Sequence, residues 1–446
     1  MCHANGTAIV RHVSSFFTHS QPYAFYRWGT LHDYSDPEHQ PDILIFAKEK
    51  LLCHFGNPTY LPRHQCAVLS QRLALEIDSS AYVLGEYTKD EDIADKIQEQ
   101  IANHMRVCVA IPQNLLAVYG VAASEPILSE AASFIMREDK FILVEALKGI
   151  WQSYAIDAGE RGELLVAAFF TRARDIHVNQ TQYRLDPTQL CHTFSVMDLL
   201  SGLFHEKVLN IILESTPSLC SPDFESSQKF KDVFSNTKMH YNHMIKPIKQ
   251  SILGRPYLLA IMTRGAAAYG ANGQRGYDMV FPFLYDTNIL DVTRVGFIIV
   301  QVKNHVKGKK VDSGLFEGMD PFRCGLLSDK EALTVPIIRI VFSLGGKPGK
   351  GQGLQRMPDS EDESSRFTSY DFWCSGMGPK LLRPVDEGNK QGDWEALLRQ
   401  PRPSDLKFSD SMAADVRRSQ YPAGGDDKAF YEAWLSDDLT ELVLGT

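Results

Sequence analysis

The sequence predicts an α/β protein: a mainly helical N-terminal region over 1–154, a mixed helix-and-strand domain over 155–400, and a polar, acidic tail over 401–446. Three observations predict it. Apolar residues recur at helical spacing between 64 and 154. Two runs dense in β-formers, 277–285 and 295–303, stand one turn apart and read as a hairpin. A third such run, 335–344, follows a loop and a short helix. A chain of 446 residues has room for two or three domains.

In the N-terminal region, QPDILIFAKEKLLCHF (40–55) is the first helix candidate, and AVLSQRLALEI continues the pattern. DEDIADKIQEQIANHM puts Ile93, Ile97 and Ile101 four apart on one face, and SEAASFIMREDKFILVEALKGIWQSY carries helix to about 154. The uncharged stretch 107–124 approaches the ~20 residues of a membrane span. Pro112, Gln113 and Asn114 interrupt it, so it reads as a strand (VCVAI), a turn and a buried helix segment (LLAVYGVAA), with no membrane partner. No chemistry is legible in this region; a protein partner is the role it suits.

From 157 onward GERGELLVAAFFTRARD and MDLLSGLFHEKVLNIILES read as helices. KDVFSNTKMHYNHMIKPIKQSI (231–252) and YLLAIMTRGAAAY (257–269) read the same way. After the three β-rich runs, 345–366 is a loop with a Gly/Lys half and an acidic half. FTSYDFWCSGMG (367–378) is an aromatic segment expected to pack back on the core.

Composition limits function. With 44% hydrophobic and 23% charged residues the chain is globular, not disordered. Forty-six basic against 55 acidic side chains give −9, which excludes a uniformly basic nucleic-acid coat but leaves room for a local basic groove. Eight cysteines without a CxxC pair argue against a disulfide scaffold or zinc ribbon and for reduced thiols in an intracellular protein. The start, MCHANGTAIVRHVSSFF, lacks the charged and apolar regions of a secretory signal.

One motif carries chemistry. In VGFIIVQVKNH the side chains alternate, so Phe297, Ile299, Gln301 and Lys303 share one face and Ile298, Val300 and Val302 the other. Apolar residues on both faces predict a central strand covered by helices. Gln301 and Lys303 then emerge together at a buried strand's end, where a lysine is costly to desolvate without an anionic or metal-bound partner. The preceding strand brings Asp278, entered through the turn Asn272-Gly273-Gln274-Arg275-Gly276. Upstream, one helix carries Glu160 and Glu163 a turn apart.

This order resembles the PD-(D/E)XK, or restriction-endonuclease-like, nuclease superfamily over roughly residues 157–345. Its αβββαβ core would take GELLVAAFF as first helix, the hairpin as central strands and PIIRIVFSL as a later strand. The resemblance implies that Asp278, Gln301 and Glu163 hold Mg²⁺ or Mn²⁺, that Lys303 orients the attacking water, and that the substrate is nucleic acid, DNA before RNA. GYDMVFPFLY, IIVQVKN, MDPF and YDFWC also resemble uncharacterised fungal proteins allied to Crinkler-type effectors, in which a nuclease-like domain follows an NTPase module. No Walker A sequence is present here, since Gly351 follows Gly349-Lys350. Three departures stand out: Tyr277 precedes Asp278 in place of proline, Gln301 stands where an acid is usual, and Pro282 suits a sheet edge or bulge better than a central strand.

Around the motif, Arg275, His305, Lys307, Lys309 and Lys310 are candidate phosphate contacts, and a solvated basic loop is their alternative reading. Lys303 itself has the plain alternative of a strand-end lysine that snorkels to solvent. The same fold without turnover, serving as a nucleic-acid- or protein-binding module, is the rival function. His240 and His243, three apart in an expected helix, lack a third ligand nearby and read as surface or capping residues.

Overall fold

The computed structural model describes residues 47–52, 60–75, 77–78, 99–104, 106–110, 119–122, 126–153, 161–180 and 193–399, the last with breaks at 248, 272–273, 288, 305–311, 346–352, 358–364 and 387–389. The protein is mixed α/β and divides into two compact units, one formed by the described residues up to 153 and the other by those from 161 to 399. Among the described residues no helix is long and apolar enough to cross a membrane. Among the described residues the five cysteines form no disulfide with one another.

The first unit packs Pro62–Leu73, Pro126–Met136 and Leu143–Ser153 around residues such as Leu69, Ile135 and Leu147. Pro62 opens its helix at the position where a missing N–H costs nothing. A three-stranded antiparallel sheet accompanies the helices, with Tyr119–Ala122 between Ile77–Asp78 and Arg106–Ala110. The expected VCVAI strand is present, but the helix expected over LLAVYGVAA is corrected to strand at Tyr119–Ala122, where Tyr and Val favour extended backbone and Gly120 weakens a helix. Ile93 and Ile97 lie outside the described residues; Ile101 is helical.

The second unit is a nine-stranded mixed sheet between helices; its elements are numbered from its own start. Its helices are α1 Arg161–Gln180, α2 Val196–Leu203, α3 Glu206–Leu213, α4 Phe230–Val233, α5 Arg255–Thr263, α6 Ser313–Gly318, α7 Arg383–Asp386 and α8 Gln391–Arg399. Its strands are β1 Thr193–Phe194, β2 Thr237–His240, β3 His243–Ile245, β4 Ala266–Tyr269, β5 Met279–Tyr285, β6 Val295–Lys303, β7 Ile337–Ser343, β8 Leu354–Arg356 and β9 Ser369–Ser375. The order is β8-β9-β7-β6-β5-β2-β1, with β3 and β4 joined to β5 through β4. β5 and β6 form the expected antiparallel hairpin. β6, β7 and β9 run parallel, so their carboxyl ends share one edge of the sheet.

Two expectations are corrected here. Segment 231–252 gives α4 and the strands β2 and β3, and Ala266–Tyr269 is β4, not the end of a helix. β2 and β4 lie beside β5, β4 fully buried and β2 buried but for Lys238, and burial between neighbours overrides the helical preference of the three alanines in β4. Pro282 lies in a central strand after all. It is accommodated because β5 pairs on its far side with β4 at 279–280 and with β2 at 284–285, leaving the proline in the gap between them.

Register assigns the faces. Phe281, Ile298, Val302 and Phe342 share one face, and α1 lies on it: Phe170 stacks on Phe281 at 4.3 Å between centroids and meets Phe342 edge-on at 6.1 Å. α2 crosses α1 at backbone distance, since a Cβ on Gly202 would come within 2.0 Å of the Ala173 carbonyl oxygen. The opposite face carries Ile299, Gln301, Lys303, Arg339 and Val341. There the Arg339 guanidinium reaches the Phe316 carbonyl in α6, on the crossover between β6 and β7, at 2.6 Å.

Candidate functional site

The site is the end of the β5–β6 hairpin. Gly276 turns the chain into β5 with φ 97°, and a Cβ there would come 2.3 Å from the Gly318 carbonyl and 2.9 Å from Cys324 Cβ. Both the backbone and the space demand glycine. Two residues on, the Asp278 N–H donates to the Val300 carbonyl at 2.8 Å, and β6 presents its end to the aspartate side chain.

Asp278 and Gln301 are in contact. Gln301 Nε2 donates to Asp278 Oδ2 at 2.5 Å, and the backbone N–H of Val302 donates to the same oxygen at 2.5 Å. A carboxylate only accepts, so the amide must face it nitrogen-first, with Gln301 Oε1 turned away. Gln301 is buried and Asp278 partly exposed at its rim. Burial pushes the Asp278 carboxyl above its ordinary range, against the opposing pull of the Val302 N–H, the Lys303 charge and the Gln301 amide. Lys303, half-buried, is therefore close enough to act on Asp278 electrostatically.

Glu163 is placed differently. It stands in the first turn of α1, and its neighbour Gly162 abuts the end of β6: a Cβ on Gly162 would lie 3.2 Å from both Val302 Cγ1 and Asn304 Cβ and 3.5 Å from Leu344 Cδ1. α1 thus starts at the same sheet edge as the other three residues. It covers the face opposite to the one from which Gln301 and Lys303 project. Arg275 is exposed in the turn before Asp278. Glu160, His305, Lys307, Lys309 and Lys310 lie outside the described residues. Among the described residues no three His, Cys, Asp or Glu side chains cluster as a metal-holding group.

His240 and His243 do not share a helix. They are buried on β2 and β3, where His240 Nδ1 meets the Met262 carbonyl at 3.1 Å and His243 Nδ1 meets Asn242 Oδ1 at 2.5 Å. The expectation of surface or capping histidines is corrected accordingly.

Sequence reading missed the neighbours of Gln301 and Lys303 on the next strands. In register, Val341 and Ser343 of β7 stand beside them, and Trp373 and Ser375 of β9 beyond. One step deeper the buried Arg339 grips Asp371 through Nε to Oδ1 at 2.8 Å and Nη2 to Oδ2 at 2.5 Å, tying β7 to β9. The signal was available: a third strand parallel to β6 places alternate residues of VPIIRIVFSL on the same face as Lys303.

The chain matches no family model, no curated protein and no solved structure.

Proposed function

We propose that this protein hydrolyses phosphodiester bonds of nucleic acid, DNA before RNA, with a divalent metal ion at the end of the β5–β6 hairpin. The observation that carries the proposal is the Asp278–Gln301 contact with Lys303 beside it on the same face. A partly buried carboxylate is held there against desolvation by one amide, one backbone N–H and one nearby ammonium. The order helix α1, antiparallel β5 and β6, crossover, then parallel β7 supports a restriction-endonuclease-like core.

The donor set suits Mg²⁺ or Mn²⁺. Asp278 Oδ2 already takes two hydrogen bonds and Oδ1 takes none from a described residue; Gln301 would add a neutral oxygen once its amide turns over, and Glu163 starts its helix at the same edge on the far face. Hard oxygen donors in that small number match an ion that keeps several waters. When bound, such an ion polarises the phosphate and lowers the pKa of a water. Asp278 would hold it, with Gln301 and Glu163 as further oxygen donors. Lys303 places a fixed positive charge where the attacked phosphate gathers negative charge. The half-buried setting strengthens that charge relative to bulk water.

A second reading has its own observation. Asp278 Oδ2 closes the end of the β6 ladder by accepting the Val302 N–H, which is a structural task, and no three-acid group is present among the described residues. On that reading the fold binds nucleic acid or protein without turnover. Under either reading the first unit is the part proposed to recruit a protein partner.

Cleavage of plasmid and single-stranded DNA decides between them. Turnover is expected with Mg²⁺ or Mn²⁺, none with EDTA, and a loss of at least about a hundredfold in Lys303→Met, the scale of one lost transition-state charge contact. The variant's melting temperature should stay unchanged, because the apolar face of β6 is untouched. Undiminished cleavage by Lys303→Met would assign the lysine to structure. Absence of turnover with DNA binding intact would favour the inactive fold.

A further inference from the structure

Ser343 ends β7 at the carboxyl edge of three adjacent parallel strands. It pairs in register with Lys303 on one side and Ser375 on the other. Its side chain shares the face of Gln301 and Lys303, because cross-strand partners point the same way. The residue is 0% exposed, and its hydroxyl has no hydrogen-bond partner among the described residues. By contrast Ser375 Oγ is engaged by Trp373 Nε1 at 3.1 Å. A buried hydroxyl left unpaired costs free energy, and at the end of a parallel sheet that cost is informative. Ligands of open α/β sheets bind outside the carboxyl ends of the strands.

We propose that Ser343 is a phosphate-binding residue, its hydroxyl donating to a non-bridging oxygen of the nucleic-acid phosphodiester whose charge Lys303 neutralises. This deepens the hydrolytic reading above and rests on it for the substrate class. Adjacent strands stand about 4.8 Å apart. Ser343 and Lys303, in register on neighbouring strands, would therefore both come within reach of one oxyanion at the strand ends. The first turn of α1 packs against Val302, Asn304 and Leu344 at the same edge but covers the opposite face, so the charge beside the serine comes from Lys303. The lysine thus supplies charge, and the serine supplies a directional donor beside it.

An internal control exists. Ser369 is also fully buried with a hydroxyl unpaired among the described residues, but it begins β9 at the opposite edge of the sheet. Removing either hydroxyl should leave the melting temperature of the full chain unchanged or raise it, since an unsatisfied buried group is lost. Only Ser343→Ala should weaken binding of a fluorescein-labelled oligodeoxynucleotide, single-stranded or duplex, measured by anisotropy in EDTA. The expected loss is about tenfold in Kd, the range of a hydrogen bond to a charged group. Ser343→Thr, which keeps the hydroxyl, should recover most of it.

Wild-type affinity in Ser343→Ala would overturn the proposal, as would equal weakening in Ser369→Ala or no oligonucleotide binding by the parent. A fall in melting temperature specific to Ser343→Ala would assign the hydroxyl to folding, and would also overturn it. The hydrolytic reading fails separately: binding that depends on Ser343 without Mg²⁺-dependent cleavage leaves a phosphate site and removes the nuclease. Cleavage and binding unchanged in Ser343→Ala leave the nuclease and remove the serine.

Discussion

Gln301 is the residue at which local electrostatics and proposed chemistry pull in opposite directions. Without a cation, its amide stabilises Asp278 by donating Nε2 to Oδ2. Gln301→Glu replaces that donor with a second carboxylate in a buried place. Burial already raises Asp278 above 3.8, so the folded state keeps its proton to higher pH than the unfolded chain does. Stability is therefore given up as pH climbs from 3.8 through the raised value, and a second acid widens that loss. At neutral pH without metal the variant should be about 1–3 kcal/mol less stable than the parent, the deficit closing on acidification. Mg²⁺ should reverse it, since a dication compensates both carboxylates, and cleavage should saturate at lower Mg²⁺ than in the parent. Denaturant melts across pH, with and without Mg²⁺, check this; a deficit that Mg²⁺ leaves untouched would remove Gln301 from the metal site. Asp278, Gln301 and Lys303 were legible because strand alternation and hairpin pairing are short-range rules. Ser343 was not, because a serine in VPIIRIVFSL means nothing until the strand beside it is known. The face taken by Glu163 was hidden for the same reason: a sequence shows that a helix is amphipathic, not which side of a sheet it covers.

Among the elements, α1 sets the position of everything at this edge, and its seat depends on α2. Gly202 presses that helix against the Ala173 backbone, where a methyl group would meet the carbonyl oxygen at 2.0 Å and the carbonyl carbon at 2.7 Å. Backbone atoms cannot rotate aside, so the two helices must part. Gly202→Ala should cost about 1–3 kcal/mol or more by overpacking, although alanine is the better helix former by about 1 kcal/mol. Urea unfolding gives the sign directly: a stabilised variant would mean that the helices do not approach so closely. The β5–β6 hairpin and β7 could be read from sequence because their β-branched and aromatic runs are long and bounded by turn residues. TKMH, HMI and AAAY could not, since short strands of mixed or alanine-rich composition are made by their neighbours. β4 is extended only because β5 and β3 flank it.

At the scale of the molecule, the division into two units predicts how ligand binding is felt. Each unit has its own buried core, Leu69, Ile135 and Leu147 in the first and Phe170, Phe281 and Phe342 in the second. Units with separate cores unfold as separate cooperative steps, so a single free energy of unfolding does not describe the chain. A ligand stabilises only the step that destroys its site, by about 2.7 kcal/mol at a hundredfold excess over Kd. Calorimetry of the full chain should therefore resolve two transitions, of which Mg²⁺ raises one. Asp278→Asn identifies it. Its neutral oxygen can still accept the Val302 N–H, so the fold persists, yet the charge that holds the ion is gone. In that variant both transitions should stay fixed as Mg²⁺ is added. A parent whose two transitions rise together would show that the units share one cooperative structure. A parent in which neither moves would leave Asp278 with the strand-end role alone, and the binding-module reading would then account for the fold.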